Sequence, residues 1–560
     1  MKLNIFHIND THSNFDPSIL KLTVPIQNEL IEFWVDCGGF SYINSEKKRR
    51  KKDSLANNLP FFFFDGGDTF QGSLYFSYFK GKANADLYNI LSPDGMALGN
   101  HELDLGNELF YEFLDEINFP IFAGNWDLSK ESPSKLSSKI NKDHLIDYNV
   151  KQQIANYKIY NVNNVKLAVF GITIDNMAEI ASPDHDTEFL KAIPVIQNTV
   201  QHLHNLKIRH IILLSHLGFK KDQEVAEKVD GISIIIGGHT HTLLGNFSNV
   251  GLKKIEEYPF VMNNTLIVQS GSNSLSYGYL ELTLNSDGVV SSYNGNNYLM
   301  LDTQFYNDKD KKKLIDSSLS KKIFSYLKRQ DGVIFASKDK RIEHCLNTNY
   351  RQIKAKLEKK IIAQVEEDLN HIRIPNDNKS SCVAPLVADS FLWSANKLGK
   401  NADFAIHNAG GVRSHIPKGN LSEGDISGKI LPFEIELVQY RLSGEKIKKL
   451  LKDSITNALY AKNSSGGSYP YAAGLRFDVK IYQSGQVDVF NVEIKTNNGW
   501  AKIIDDREYV SISSSYTATG KEGYDEILSS TIPITPIGIC MNDAFIKYSE
   551  FRKTLNKNLL

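Results

Sequence analysis

A short loop of polar residues, GNHELDLG at 99–106, follows an apolar stretch of the sequence. It places an amide at Asn100, an imidazole at His101 and carboxylates at Glu102 and Asp104 between glycines. Polar clusters on a tight loop either cap a helix or perform chemistry, because the same side chains accept backbone hydrogen bonds, bind metals and transfer protons. The other polar clusters of the chain decide between these two roles.

Four further polar clusters follow apolar runs, and each one taken singly is typical of a turn or of a structural histidine. Together with Asn100 they supply nitrogen and oxygen donors and no thiolate, a set that suits two divalent ions such as Zn, Mn or Fe. Asp68 is the predicted bridge between the ions, because a carboxylate can be shared and its flanking glycines allow close approach. The candidate ligands are Asp10, His12, Asp68, Asn100, His216, His239 and His241.

Short runs rich in Ile, Val and Phe precede these clusters and predict buried strands. Between some of them lie helical patterns, and in NELFYEFLDEIN at 107–118 the apolar residues share one helix face. This alternation indicates an α/β domain, in which ligands bind where the carboxyl ends of the strands converge. The predicted strands are LNIFHI, PFFFF, PIFAG, VKLAVFGI, HIILLS, ISIIIGG and TLIVQSG.

Length and charge limit the class of protein. A chain of 560 residues predicts two or more domains. Its 64 Lys and Arg against 65 Asp and Glu give a net charge of -1, so no overall field favours nucleic acid or an anionic membrane, and an anionic small-molecule substrate must be met by a local site. The four cysteines show neither disulfide nor zinc spacing. We expect a cytoplasmic protein, although a mature exported chain would read the same way, and the sequence leaves monomer or dimer open.

The composition changes near residue 308, where a lysine-rich segment begins. It is followed by YRQIKAKLEKKIIAQVEEDL at 350–369, which we predict to be a second helical stretch. Charge runs of this kind are typical of solvated helix faces. The segment is therefore expected to link two domains, and a second α/β unit is expected after residue 361.

In order and spacing, the motifs D-x-H, G-D, G-N-H-E, an isolated H and G-H-x-H resemble those of the calcineurin-like metallophosphoesterases. The resemblance implies that His101 faces the phosphate and that Asp104 orients it, while Glu102 and Leu105 are interpreted as ordinary loop and packing positions. It also implies one metal bound by Asp10, His12, Asp68 and His241, and a second bound by Asp68, Asn100, His216 and His239.

The second half resembles the C-terminal domain of the 5'-nucleotidases, a family that includes UDP-sugar hydrolases and 2',3'-cyclic nucleotide phosphodiesterases. The matching segments are LVADS, HNAGGVRS, ILPFEIELV and SYTATGKEGYDEI, between about 380 and 527. The resemblance implies that Asn408 and Arg413 contact phosphate or ribose, with Gly410 and Gly411 permitting close backbone approach. It implies further that Phe433 and Tyr516 sandwich the nucleobase.

This chain departs from the second family pattern at two places. The family usually has GGD where this chain has GKEGY, which puts Lys521 and Glu522 at the position of a ribose-binding aspartate. Glu522 can still accept the ribose hydroxyls, with a longer arm. The family also has an arginine upstream of LVAD, and the nearest basic residues here are Arg373 and Lys379. An unusual or relaxed substrate range is therefore a further expectation.

Taken together, the resemblances imply a four-layer α/β/β/α metallophosphoesterase sandwich over 1–305, a helical linker over 306–360 and a smaller α/β substrate-binding domain over 361–560. The implied function is hydrolysis of the 5'-phosphate of nucleoside monophosphates by attack of a metal-bound hydroxide. A 2',3'-cyclic nucleotide phosphodiesterase and a UDP-sugar pyrophosphatase use the same metal residues, so both stay open. A catalytically silent nucleotide-binding protein is the alternative of another class.

Overall fold

A computed structural model describes residues 1–136, 144–376, 380–461, 466–482 and 484–559. Its contacts divide the chain into two compact units, Met1–Gln71 with Tyr78–Arg351 and Gly72–Ser77 with Gln352–Leu560. The division near residue 351 falls inside the segment 306–360 that the sequence predicts as a linker. No helix within the described ranges combines the length and the apolar character needed to cross a bilayer.

Strands and helices alternate along much of the chain up to residue 359. The strands are β1 Lys2–Ile8, β2 Ser18–Ile26, β3 Glu29–Cys37, β4 Phe61–Asp65, β5 Gly95–Ala97, β6 Ile121–Phe122, β7 Leu145–Ile146, β8 Tyr148–Asn149, β9 Ile154–Ala155, β10 Lys158–Val162, β11 Val165–Ile172, β12 His210–Ser215, β13 Ile234–Ile236, β14 Phe260–Met262, β15 Thr265–Val268, β16 Ser276–Leu284, β17 Val290–Tyr306 and β18 Val333–Phe335. The helices are α1 Phe40–Ala56, α2 Leu74–Phe79, α3 Gly81–Leu91, α4 Asn107–Glu116, α5 Pro133–Leu136, α6 Met177–Ile180, α7 Ala192–Asn205, α8 Phe219–Lys228, α9 Ser317–Leu327, α10 Lys340–Cys345 and α11 Arg351–Lys359.

Two sheets lie at the centre of the first unit. One has the strand order β2-β3-β17-β16-β1-β4-β5-β6-β7 with β18 against β17, and the other has the order β10-β11-β12-β13-β15-β14. Apolar side chains such as Phe64 and Leu214 form a shared core between the sheets. Helices α7 and α8 pack on the outer face of the second sheet, and α1 packs against β1 and β4 of the first. The expected four-layer α/β/β/α order is confirmed.

The second unit has a central sheet with helices on both faces. Its strands are β19 Ile361–Val365, β20 Phe404–Asn408, β21 Gly419–Ser422, β22 Glu436–Ser443, β23 Pro470–Ala473, β24 Leu475–Ile481, β25 Val487–Thr496, β26 Gly499–Lys502, β27 Glu508–Ser514, β28 Thr535–Cys540 and β29 Thr554–Leu555, and its helices are α12 Val383–Lys397, α13 Glu423–Asp425, α14 Gly444–Tyr460 and α15 Met541–Arg552. The central sheet has the order β23-β20-β27-β22-β28. Helices α12 and α15 share one core with it, and α14 shares the other.

Most elements agree with the sequence patterns, and one does not. All of the apolar runs named above form strands, and the pattern at 107–118 forms α4. The helix predicted over 350–369 is wrong beyond Lys359, because 361–365 is the strand β19. Ala363 and Val365 are buried while Gln364 points outward, a two-residue period that the branched side chains of IIAQV favour.

Candidate active site

The candidate metal ligands lie just beyond the carboxyl ends of parallel strands. Strands β1, β4 and β5 pair in parallel in one sheet, and β12 and β13 pair in parallel in the other. Because all of these strands end at the same edge of the sandwich, the loops that follow them converge. The ligands are Asp10 and His12 after β1, Asp68 after β4, Asn100 after β5, His216 after β12, and His239 and His241 after β13.

The structure brings these side chains together in two neighbouring groups. The ligand atoms of Asp10, His12 and His241 lie within 4.8 Å of one another, and those of Asp68, His216 and His239 do the same. In the first group, His12 Nε2 is 2.9 Å from His241 Nε2, which is 3.5 Å from Asp10 Oδ1. Each group alone could surround one cation.

Asp68 lies between the two groups. One of its carboxylate oxygens is 3.0 Å from His216 Nε2, and its ligand atoms also lie within 4.8 Å of those of His12. Asn100 joins the second group, because its Oδ1 is 3.0 Å from His239 Nδ1. These contacts give Asp68 the position that a bridging carboxylate requires.

The donor set fits two divalent cations. His216 Nε2 is buried and makes no hydrogen bond of acceptable geometry, although Asp68 lies beside it. Burial lowers the pKa of His12 and of His239 to about 3, so both imidazoles are neutral, which is the form that binds a metal. Burial alone would lower the pKa of His216 too, but Asp68 and Asp10 raise it to about 10. If His216 lost its proton and bound a metal, the carboxylates of Asp10 and Asp68 would lie beside that cation instead of beside an imidazolium.

Most of the ligands have a strained backbone. A left-handed conformation at a residue other than glycine is uncommon and costs about 1–2 kcal/mol, so it persists only where the surroundings impose it. Such strain is typical of functional sites, since it directs side chains to one point. The ligands with positive φ are Asp10 at 49°, His12 at 47°, Asp68 at 60°, His239 at 74° and His241 at 55°.

Two glycines allow the ligand loops to approach one another. A Cβ atom on Gly99 would lie 2.1 Å from Asp68 Oδ1. A Cβ atom on Gly238 would lie 2.5 Å from the carbonyl oxygen of Gly66 and 2.9 Å from His216 Nδ1. Both distances are far below van der Waals contact, so neither position can take a side chain without displacing a ligand.

His101 and Asp104 form a pair beside the metal ligands. His101 Nδ1 is 2.6 Å from Asp104 Oδ2, and the backbone N–H of His101 donates to Asp68 Oδ1 at 2.9 Å. Burial acts to lower the pKa of His101, but Asp104 and Asp68 outweigh it and raise the pKa to about 9. His101 is therefore an imidazolium at neutral pH, and its contact with Asp104 orients the ring.

The predicted substrate residues of the second unit lie around the end of β20. Asn408 is its last residue, and the turn that follows contains Gly410 and Gly411. The turn packs tightly, because a Cβ atom on Gly411 would lie 2.3 Å from His407 Cε1. Arg413 follows the turn, and its guanidinium lies 5.2 Å from the ring centroid of Phe433.

The remaining predicted substrate residues lie on the loop after β27. Lys521 Nζ is 5.5 Å from the ring centroid of Tyr516, and Glu522 has a left-handed backbone with φ 55°. Burial lowers the pKa of Arg413 and raises the pKa of Glu522. The positive charge of Arg373 acts to lower both pKa values, so Arg373 interacts with a charged group on each of the two loops. Lys379, the other basic residue considered upstream of LVAD, lies outside the described residues.

Comparisons with known proteins agree with both halves. The calcineurin-like phosphoesterase family model matches residues 3–243, and the model of the 5'-nucleotidase C-terminal domain matches residues 361–529. The NAD 5'-nucleotidase of Haemophilus influenzae is 30% identical over 550 residues, which cover 94% of this chain and 85% of that protein. The chain belongs to the 5'-nucleotidase family. It is a metal-dependent phosphoric-ester hydrolase by family and fold.

Solved structures of 5'-nucleotidases have the same two-domain architecture. A 5'-nucleotidase precursor from Thermus thermophilus is 26% identical, with a TM-score of 0.73, and the match covers 99% of this chain and 97% of that one. The Haemophilus influenzae NAD nucleotidase is 27% identical, with a TM-score of 0.64 and the same coverage. The similarity thus extends over both units of this 5'-nucleotidase family member.

Glu102 has a role in the site that the sequence interpretation missed. It is 1% exposed, and its carboxylate accepts four backbone N–H groups, from Gly99 at 2.8 Å, Asp68 at 3.2 Å, Thr69 at 2.7 Å and Phe70 at 3.1 Å. Interpreting Glu102 as an ordinary loop position was wrong, because it fastens the Asp68 loop to the Asn100 loop. No local pattern indicated this role, because the four donors are backbone N–H groups, three of them more than thirty residues away in the chain.

Two other buried groups support the loops that carry the candidate ligands. Asn9 donates to Asp10 Oδ2 at 2.6 Å and accepts from the backbone N–H of Ser270 at 2.6 Å. Gln269 donates to the carbonyl oxygen of Gly238 at 3.0 Å and to Asp222 at 3.4 Å. Neither residue belongs to a recognisable motif, so only the three-dimensional arrangement identifies them.

Proposed function

We propose that this protein removes the 5'-phosphate from nucleoside monophosphates at a two-metal site. The observation that carries the proposal is the convergence of seven nitrogen and oxygen donors beside the His101–Asp104 pair. One metal would be held by Asp10, His12, Asp68 and His241, and the other by Asp68, Asn100, His216 and His239. When bound, two such ions polarise phosphoryl oxygens and lower the pKa of a water molecule to about 7.

His101 has the proton and the orientation for an electrostatic role. Its Nδ1–H is held by Asp104, and that carboxylate acts to raise the pKa of His101, which favours a proton on the second ring nitrogen. That Nε2–H would donate to an equatorial phosphoryl oxygen or to the leaving 5'-oxygen, where negative charge develops. The backbone N–H of His101 meanwhile keeps Asp68 in place.

The second unit would bind the nucleoside. Phe433 and Tyr516 are half-buried aromatic rings, suitable for stacking on a base, which contributes about 1–3 kcal/mol. Arg413 has the planar fork that suits phosphate oxygens. Glu522 would accept the ribose hydroxyls. Because base stacking tolerates different bases, this arrangement supports a range of nucleoside monophosphates.

A second candidate is hydrolysis of the pyrophosphate bond of a dinucleotide or a nucleotide sugar. The relative at 30% identity is named an NAD 5'-nucleotidase, and the same ligands would serve either phosphorus centre. Arg373 and Arg413 give the second unit two guanidinium groups, which a second phosphate could engage.

The test is phosphate release after metal removal and addition of Mn or Zn, using 5'-mononucleotides, 2',3'-cyclic nucleotides, UDP-glucose, NAD and an aryl phosphate. We expect mononucleotides to be preferred over the aryl phosphate, and His216→Asn to abolish turnover. His185→Asn, at an exposed histidine of the same unit, is the matched control and should keep full activity. Turnover of the aryl phosphate alone would contradict nucleoside recognition, and no turnover with metals bound would favour the silent nucleotide-binding protein.

A further inference from the structure

Each of the two aromatic rings proposed to hold the base has a cation beside it. The Arg413 guanidinium lies 5.2 Å from the Phe433 ring centroid, and Lys521 Nζ lies 5.5 Å from the Tyr516 ring centroid. Both distances are within the range of cation–π attraction. A cation on one face of a ring polarises the π electrons of that ring. The ring therefore attracts a second cation on its other face less strongly.

The ammonium group of Lys521 is held away from solvent. Its Nζ atom has no exposed surface, whereas Glu522, the neighbouring carboxylate, is exposed as a residue. Arg373 is half-buried and adds a further positive charge that acts on Glu522 and on Arg413. Two cations, Lys521 and Arg373, therefore act on the one carboxylate of Glu522, so the positive charges outnumber the negative one.

We propose that this site selects nucleotides by the charge of the base, accepting neutral bases and rejecting cationic ones, with Lys521 as the residue that determines this specificity. The inference rests on the proposed function, since it takes Phe433 and Tyr516 as the rings that hold the base. Lys521 belongs to the GKEGY segment in which this chain departs from the family pattern. The discrimination would thus be a property of this chain's own sequence.

The size of the effect follows from the distance between the charges. A base stacked on Tyr516 would place its own charge about 9–10 Å from the Lys521 ammonium if it takes the opposite ring face, and nearer otherwise. For two unit charges at that separation and an effective dielectric constant of about 20, the repulsion corresponds to a discrimination of roughly 15- to 20-fold, which screening by salt reduces to about tenfold. Arg413 beside Phe433 adds in the same direction.

The test uses a pair of substrates that differ in base charge and little else. Nicotinamide mononucleotide carries a pyridinium cation, and its reduced form carries a neutral dihydropyridine of nearly the same shape. We expect the wild-type enzyme to hydrolyse the reduced form with a kcat/KM about tenfold higher. Lys521→Met, which keeps the length of the side chain, should narrow this ratio about tenfold. Because both substrates are compared in both proteins, differences in intrinsic stacking strength cancel.

Two further variants separate charge from structure. Lys521→Arg keeps the positive charge and should keep the discrimination. Lys480→Met removes a lysine that lies 4.9 Å from the ring of Tyr482 elsewhere in the same unit, and it should leave the ratio at the wild-type value. If Lys521→Met does not fold, the same two substrates are compared in Lys521→Gln, which also removes the positive charge.

The outcomes distinguish this inference from the function on which it rests. Two outcomes overturn the charge selection alone, provided that AMP is hydrolysed. In the first, Lys521→Met leaves unchanged the ratio of kcat/KM between reduced and oxidised nicotinamide mononucleotide. In the second, the wild-type enzyme hydrolyses both forms equally well. Failure to hydrolyse any mononucleotide with both metals bound overturns the proposed function and the charge selection with it. Electrostatic selection is supported if the ratio of kcat/KM between the reduced and the oxidised substrate falls as ionic strength rises and stays at the wild-type value in Lys521→Arg.

Discussion

Replacing Glu102 by glutamine tests whether the metal site depends on a residue that binds neither metal nor substrate. The Glu102 carboxylate accepts four backbone N–H groups at 2.7 to 3.2 Å, and these come from the two loops that carry Asp68 and Asn100. Glutamine has nearly the same shape, but it has one acceptor oxygen instead of two. Its amide NH2 would face two backbone N–H donors, so we expect about half of these hydrogen bonds to be lost.

The magnitude follows from the number of bonds. A hydrogen bond to a charged group contributes about 1.5–3 kcal/mol, so losing two of them costs about 3–6 kcal/mol. The free energy of unfolding of a typical domain is about 5–15 kcal/mol, and a loss of this size is a large part of it. Misplacing Asp68 should also weaken metal binding by about 10- to 100-fold, as loss of a group that orients a ligand typically does.

Three measurements test the Glu102→Gln prediction. Hydrogen exchange of the segment 66–71 should become much faster, urea should unfold the variant at lower concentration, and chelator competition should show weaker metal binding. Glu112→Gln, at an exposed glutamate of α4, is the control and should change none of the three. If Glu102→Gln keeps wild-type exchange in this segment and wild-type metal affinity, the reasoning about the shared carboxylate is refuted.

The site geometry makes two other predictions. Asp104→Asn should lower kcat about 10- to 100-fold while metal content stays at the wild-type level, because the amide no longer holds the imidazolium proton as the carboxylate does. Measurements of kcat and of metal content on the same preparation check this prediction. A parallel loss of metal would contradict it. Gly99→Ala should abolish metal binding, since its Cβ would lie 2.1 Å from Asp68 Oδ1. Gly399→Ala is the control, because that position has open space and the variant should bind metal normally. Wild-type metal content in Gly99→Ala would show that the loop can move to accept the methyl group.

The ligand loops are predictable from the sequence because they combine two strong local signals. Buried strands such as β1 and β12 are recognisable from apolar runs. Each run is followed by polar residues, and such residues indicate either a turn or helix cap or a ligand-binding site. Their convergence follows from a general rule for parallel strands. Asp10 and His216 thus lie where the sequence predicts, in different sheets and yet in one site.

The supporting groups are not predictable in the same way, because their partners are far away in the chain or are backbone atoms. Glu102 binds N–H groups of residues 68–70, and Gln269 binds a carbonyl group 31 residues away. The position of Lys521 over Tyr516 depends on a turn with a left-handed residue, Glu522, that no propensity indicates. At 361–365 tertiary pairing with β21 selects a strand where the local pattern favours a helix.

The positive φ values of the candidate ligands predict that the backbone conformation needed for metal binding lowers the stability of the protein. A pair of variants at His241 can measure this cost. His241 has φ 55° and a side chain that is 43% exposed. His241→Gly and His241→Ala both remove the imidazole and its contact with His12, but only glycine adopts this backbone without strain. In the presence of a chelator, we therefore expect the glycine variant to be more stable than the alanine variant by about 1–2 kcal/mol.

The same pair of substitutions at a histidine with ordinary backbone should give the opposite sign. His202 lies in helix α7, where glycine is less favourable than alanine by about 0.5–1 kcal/mol. Urea unfolding of all four variants without metal makes the comparison. If alanine is as stable as glycine at His241, the left-handed backbone is not strained there, and the ligand loops are held by something other than their supports. If the sign reverses between the two positions, the strain belongs to the left-handed backbone at His241, and Gln269, which accepts the backbone N–H of the next residue, Thr242, is one of the groups that hold it.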